Sequence, residues 1–229
     1  MKDTGPATTR LNRKGENMGK IDYKKNYRGI YFPKNVPTIV DIPEMSYITI
    51  EGAGNPGGEE FKKSVEVLYA LSYAVKMSYK SDDVPEGYQE YTVFPLEGIW
   101  DLVDYTKPVT DKDNYKYKLM IRQPDFLTEE LFNRFKAQVE KKKPQLEVSR
   151  ANLETITEGL SCQIMHIGSY DDEPESFRHM MEFCAQNHYE RIGKTHKEIY
   201  ISDPRLTEAF NQKTVLRFWV KATDGPEAE

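Results

Sequence analysis

The chain is poor in cysteine: among 229 residues there are two, Cys162 and Cys184, and no apolar run long enough for the ~20 residues of a membrane-spanning helix. The N-terminus lacks the charged-then-apolar pattern of a secretory leader, so a reduced cytoplasmic protein is the expectation. Positive charge is not in excess either. The 32 basic residues are outnumbered by 37 acidic ones, a net charge of −5, which argues against nucleic acid or an anionic membrane as partner. A neutral or cationic small molecule fits that balance better. What the chain does have is apolar and aromatic material, 38% and 12% of residues, enough to build a substantial core.

Its organisation reads as two similar halves between polar ends. Residues 1–17 lack periodicity and read as a disordered extension or an expression leftover, with Met18 as the natural start; 222–229 read as a frayed tail. Residues 21–43 carry Pro33, Pro37 and Pro43 without a clean period, which predicts an irregular arm lying on the domain. The first half (about 44–125) has a strand over Tyr47–Glu51 and a helix over Glu59–Met77 with an apolar stripe through Phe61, Val65, Leu68 and Val75. Strands over Gln89–Trp100 and Tyr115–Gln123 complete it. A joining helix over 128–142 opens with Thr128 and ends before Pro144. The second half (about 150–221) repeats the order, with a strand over Gly159–Gly168, a helix over Pro174–Asn187, and strands over His196–Ile201 and Thr214–Val220. The predicted fold is α+β: duplicated strand-helix-strand-strand modules with antiparallel sheets and a ligand groove between them.

Several motifs are present in form only. Gly52-Ala53-Gly54-Asn55-Pro56-Gly57 satisfies G-x-G-x-x-G, but the helix after it runs into the polar Ser81–Glu90 stretch instead of a buried parallel strand, so a plain glycine-rich turn is expected. His166, His179, His188, His196 and the two cysteines show no paired zinc-ligand spacing, and neither thiol has an activating neighbour in sequence. No metal or cofactor is expected.

The carboxylates carry more. In Thr195–Pro204, a two-residue period sets His196, Glu198 and Tyr200 on one side of a strand and Lys197, Ile199 and Ile201 on the other. A charge among β-formers is costly to bury without a partner, so Glu198 is expected to face a cavity, ligand or water. Glu97, in Phe94–Trp100, is its rough counterpart in the first half and the second candidate carboxylate; a solvated edge position is the alternative for it. Tyr47, Tyr69, Trp100, Tyr170, Tyr200 and Trp219 are candidate ring faces, with His166 beside the same segments.

The stretches His166–Pro174 and Thr195–Pro204, with Leu96-Glu97-Gly98-Ile99-Trp100, Leu119–Pro124 and Tyr47–Gly52, resemble the GyrI-like small-molecule-binding superfamily in its stand-alone branch, over about 18–221. The resemblance implies two modules related by a pseudo-two-fold axis around a ligand groove. It also implies that Glu198 lies in the groove beside Tyr200. Some stand-alone members are similar to hydrolases that open the cyclopropane ring of DNA-alkylating natural products with a pocket glutamate and aromatic side chains. Related members often carry two tryptophans after Leu-Glu-Gly, whereas here Asp101 follows Trp100. Two functions stand: a module that binds a hydrophobic or cationic compound, and a detoxifying hydrolase with Glu198, and Glu97 as its partner. An interaction protein without a ligand would instead fill the groove with its own side chains.

Overall fold

The computed structural model describes residues 19–223; the extension read over 1–17 and residues 224–229 of the expected tail lie outside the described residues. Strand β1 (Thr38–Ala53) is 16 residues long, far beyond the five that alternate most clearly. It runs through Pro43, inside the stretch read as an irregular arm, because its ladder with β4 (Asn152–Ile167) has no pair at that step: Ile42 pairs with Gly159 and Glu44 with Thr157. The inward-facing set also changes there, Ile42 and Met45 both packing with Tyr47. Gly159, at φ 67°, allows β4 the matching change.

Helix α3 (Glu59–Met77) buries Val67, Leu68, Leu71 and Val75 against Ile48, Ile50, Leu119 and Ile121 of the sheet. Strands β2 (Leu96–Leu102) and β3 (Tyr115–Arg122) form a hairpin. Helix α4 (Glu129–Lys142) is capped by the Thr128 hydroxyl, which accepts from the Leu131 N–H at 3.2 Å. The second half supplies β4 (Asn152–Ile167), α5 (Glu173–Gln186), β5 (Tyr189–Arg191), β6 (His196–Tyr200) and β7 (Lys213–Ala222). Among the described residues no helix is long and apolar enough to cross a membrane.

The strand order β4-β1-β3-β2-β6-β7 closes through β4–β7 into a six-stranded antiparallel barrel, with β5 added on β7. Each half contributes three strands in the same spatial order, β1-β3-β2 and β4-β7-β6. The halves meet along two seams, β1–β4 and β2–β6. Helices α3 and α5 lie on the outside, α5 burying Met180 and Cys184 on Cys162, Ile164, Leu216 and Phe218.

The inside of the barrel is charged. Lys197, fully buried, donates to Glu97 Oε2 at 2.6 Å and Glu158 Oε1 at 2.5 Å, and Arg217 Nη1 donates to Glu158 Oε2 at 2.9 Å. Burial alone would raise the Glu158 carboxyl, but Lys197 and Arg217 outweigh it and hold the group at about 2. The N-terminal arm, two single-turn helices α1 (Tyr23–Asn26) and α2 (Arg28–Tyr31), seals one end. Tyr31 donates to Glu97 Oε1 at 3.1 Å, Gln163 Nε2 to the Gly29 carbonyl at 2.7 Å and Arg217 Nη2 to the Ile30 carbonyl at 2.9 Å.

Gly52 marks one close approach. A Cβ there would lie 2.5 Å from the Tyr117 ring, which rests on the bare backbone. Gly52→Ala is expected to cost about 1–3 kcal/mol by overpacking, read by calorimetry as a fall of several degrees in Tm.

Candidate functional site

Strand β6 meets β2 with Gly98 opposite Glu198 and Trp100 opposite His196, so these four share the outer face between α3 and α5. Glu198 is 9% exposed and held at both oxygens: His196 Nε2 lies 3.0 Å from Oε1, and the Tyr200 hydroxyl donates to Oε2 at 2.8 Å. The Trp100 indole N–H donates to the Tyr200 oxygen at 2.9 Å. Burial first, then the charge of Glu198, pushes the Tyr200 phenol well above its usual range, so it stays a donor. Gly98 leaves room for this chain, since a Cβ there would stand 3.0 Å from Trp100 Nε1 and 3.4 Å from the Tyr200 oxygen.

Aromatic rings wall the site. Trp100 stacks on Phe61 of α3 (5.9 Å between centroids, 19° between planes) and meets Tyr115 and Tyr117 at 5.8 and 5.7 Å. On the other side Tyr170 stands edge-on to Tyr200 at 6.2 Å, and Phe177 of α5 edge-on to His196 at 4.9 Å. Asp101, which follows Trp100, accepts from the Leu102 N–H and the Tyr105 hydroxyl.

A second carboxyl belongs to this face. Glu173, the first residue of α5, is 7% exposed, and its Oε1 has no hydrogen-bond partner among the described residues. Burial first, then the charges of Glu198 and Asp171, raises it to about 10. Burial thus favours the neutral form of the Glu173 carboxyl, and the charge of Glu198 acts in the same direction. Sequence reasoning missed Glu173 because it sits at a helix start amid Asp171, Asp172 and Glu175, where acidic residues ordinarily serve the helix dipole in water.

The structure thus brings together Glu198, Tyr200, Trp100 and Tyr170 of the residues singled out from sequence. His166 lies behind them, its ring nitrogens 2.9 Å from Ser176 Oγ and the Ser169 carbonyl oxygen, fixing the turn into α5. Tyr69 lies on α3 beside Tyr73, with Asp203 among the charges that raise its phenol after burial and Tyr73. Glu97, Tyr47 and Trp219 are not at the site. Glu97 pairs with Ile199, not Glu198, and so points into the barrel toward Lys197. Tyr47 lies there too, 3.5 Å from Lys197 Nζ, and Trp219 follows Arg217 on the inward parity of β7.

Among the described residues no group of three or more His, Cys, Asp or Glu side chains could hold a metal ion. Two depressions, of about 620 Å³ under the turn into α5 and about 430 Å³ between α3 and α4, lie away from Glu198.

The profile of the GyrI-like small molecule binding domain family matches residues 36–221. A comparison with curated proteins finds no match. Among solved structures, an uncharacterized conserved protein from Listeria innocua is 37% identical with a TM-score of 0.84, over 88% of this chain and 100% of that one. A hydrolase from Listeria innocua is 35% identical with a TM-score of 0.84, over 89% of this chain and 100% of that one. The EcmrR C-terminal domain, 13% identical with a TM-score of 0.52 over 82% of this chain and 98% of that one, shares the fold.

Proposed function

Since the chain belongs to the GyrI-like small-molecule-binding domain family, we propose that it takes a flat, largely apolar organic molecule into the groove between its two modules and adds water to it. The observation that carries this reading is the buried Glu173 carboxyl, unpartnered at Oε1 and pushed up by burial and then by the charge of Glu198. A groove meant only to be filled by its own side chains would satisfy that oxygen. The Listeria innocua hydrolase, at 35% identity over nearly all of both chains, supports the same class of chemistry.

The substrate class is an electrophilic strained ring conjugated to a carbonyl, as in the cyclopropane-bearing alkylators. Water attacks the ring carbon and its proton passes to Glu198, which Tyr200 and His196 hold in place. The ring C–C bond breaks and its electrons move into the conjugated carbonyl, whose oxygen takes the proton from Glu173. The product is the substrate plus one water. Proton exchange with solvent then returns the pair to its starting state. Trp100, Phe61, Tyr115 and Tyr170 hold the planar body of the substrate through their ring faces and edges. The two cysteines are free and buried, in keeping with work in a reducing cytoplasm.

The test is incubation with a spirocyclopropyl cyclohexadienone alkylator, following the water adduct by mass spectrometry. Glu198→Gln keeps the shape and is expected to lower turnover by about 10²–10⁴-fold. A second reading, binding without turnover, is favoured by the aromatic rings around the Glu198 carboxyl, a setting that also suits a cation. Stoichiometric binding with no adduct from the unmodified protein would leave that reading standing and remove the hydrolase.

A further inference from the structure

Helices α3 and α4 pack side by side, and toward their C-terminal ends they leave a depression of about 430 Å³ away from the Glu198 groove. That size is within the roughly 300–1,000 Å³ of small-molecule sites. Its two characters follow from the spacing along α4. Phe135 and Val139, four apart and buried, form one stripe; Arg134, Gln138 and Lys142, also four apart, form the stripe beside it. With Ala74 and Met77 of α3 the depression has an apolar floor and a polar edge.

The charge along that edge is mostly of one sign. Lys80, Arg134 and Lys142 line the depression with a single carboxylate, Asp83, in a chain whose net charge is −5. Arg134 Nη1 donates to Asp83 Oδ2 at 2.5 Å, whereas its Nε is buried and has no hydrogen-bond partner among the described residues. A cationic N–H shut away from water without an acceptor is costly, and an anionic oxygen in the depression would satisfy it.

The guanidinium carbon of Arg134 also lies 5.3 Å from the centroid of the Phe135 ring and so occupies the ring's face. What remains of the floor is chiefly aliphatic: Ala74, Val139 and the 38% exposed Met77. Helix ends explain only part of the charge. Lys142 is in the last turn of α4, where a cation answers the helix dipole in water. Arg134 stands two turns earlier, beyond the reach of that effect.

We propose that the depression between α3 and α4 is a second small-molecule site, which takes an aliphatic carboxylate with its head on Arg134 and Lys142 and its chain over Met77 and Val139. The site is opposite in sign to the Glu198 groove and does not depend on what that groove binds. It would let the protein hold an acyl anion and a neutral or cationic compound at the same time.

The test is calorimetric titration of the full chain with octanoate, and with octanol as the neutral molecule of the same length. One octanoate is expected per chain, with octanol at least about tenfold weaker. Raising the ionic strength should weaken octanoate and leave octanol unchanged. Arg134→Gln should weaken octanoate about tenfold. Asp83→Asn, which removes the single lining carboxylate and frees Arg134 Nη1, should tighten it about threefold, a gain that a damaged fold would not give. The Arg134 and Asp83 side chains are 34% and 83% exposed, so neither change should move Tm by more than a few degrees. Equal binding of octanol would reduce the site to an apolar depression and overturn the proposal, as would an absence of octanoate binding or an affinity unchanged in Arg134→Gln. An octanoate affinity altered by Glu198→Gln would place the anion in the groove and overturn it too.

Discussion

Lys197→Ala is expected to lower stability by roughly 3–5 kcal/mol, a loss that could leave little folded protein. The substitution leaves Glu97 and Glu158 facing each other inside the barrel without the ammonium that both contact. Arg217 remains on Glu158, but nothing of comparable reach remains for Glu97 beyond the Tyr31 hydroxyl. The Coulomb attraction of the native set offsets a large desolvation cost, so removing one member exposes that cost in full. Denaturant unfolding followed by circular dichroism measures the change, and a loss under 1 kcal/mol would mean that the interior charges are wet or loosely held. The same network sets an acid limit. Glu158 has a folded pKa of about 2 against an ordinary value of 4.5, so its contribution is present above the ordinary value and is lost as pH falls from about 4.5 toward 2.

Glu173→Gln is expected to act in the opposite sense on stability while removing activity. The folded-state pKa of Glu173, about 10, lies above its ordinary 4.5, so between those values the native protein holds a proton that the unfolded chain has released. Stability therefore falls as pH rises through that window. The glutamine variant carries no titrating group at this position, and its unfolding free energy should exceed that of the native protein at pH 8 by an amount on the order of 1–3 kcal/mol, seen as a higher Tm, and converge with it near pH 5. A Tm difference that does not change between pH 5 and pH 8 would show that Glu173 is ionised in the fold. Turnover should collapse in the variant at every pH, because the amide has no proton of suitable acidity to give. Gain of stability with loss of turnover is what the proposed hydrolase predicts for a carboxyl buried at a cost.

The element order of both halves was legible in the sequence because hydrophobic period and helix capping are local. Helix α3 runs over Glu59–Met77 as its stripe predicts, and the alternation in β6 correctly places His196, Glu198 and Tyr200 on one face. What was not legible is which faces of different strands coincide. Glu97 and Glu198 look equivalent along the chain, yet the β2–β6 register sets Gly98, not Glu97, opposite Glu198 and so turns Glu97 inward. Lys197 was read with the apolar residues of its strand; its face is indeed buried, but around a salt-bridge network whose partners come from three other strands. The pairing of Glu173 with Glu198 brings a helix start to a strand over 20 residues away, a juxtaposition that only the packing of α5 creates.

The barrel closes along two seams, and each seam joins one half of the chain to the other. Neither half owns a complete charge set: Glu97 and Arg122 come from the first, Glu158, Lys197 and Arg217 from the second. A chain severed in the turn before α4 would give two fragments, each with two raw sheet edges and ions it cannot neutralise alone. Such fragments are built for complementation. Their reassembly would regain the Glu97–Lys197 contact and the β2–β6 seam that sets Gly98 opposite Glu198 in one step.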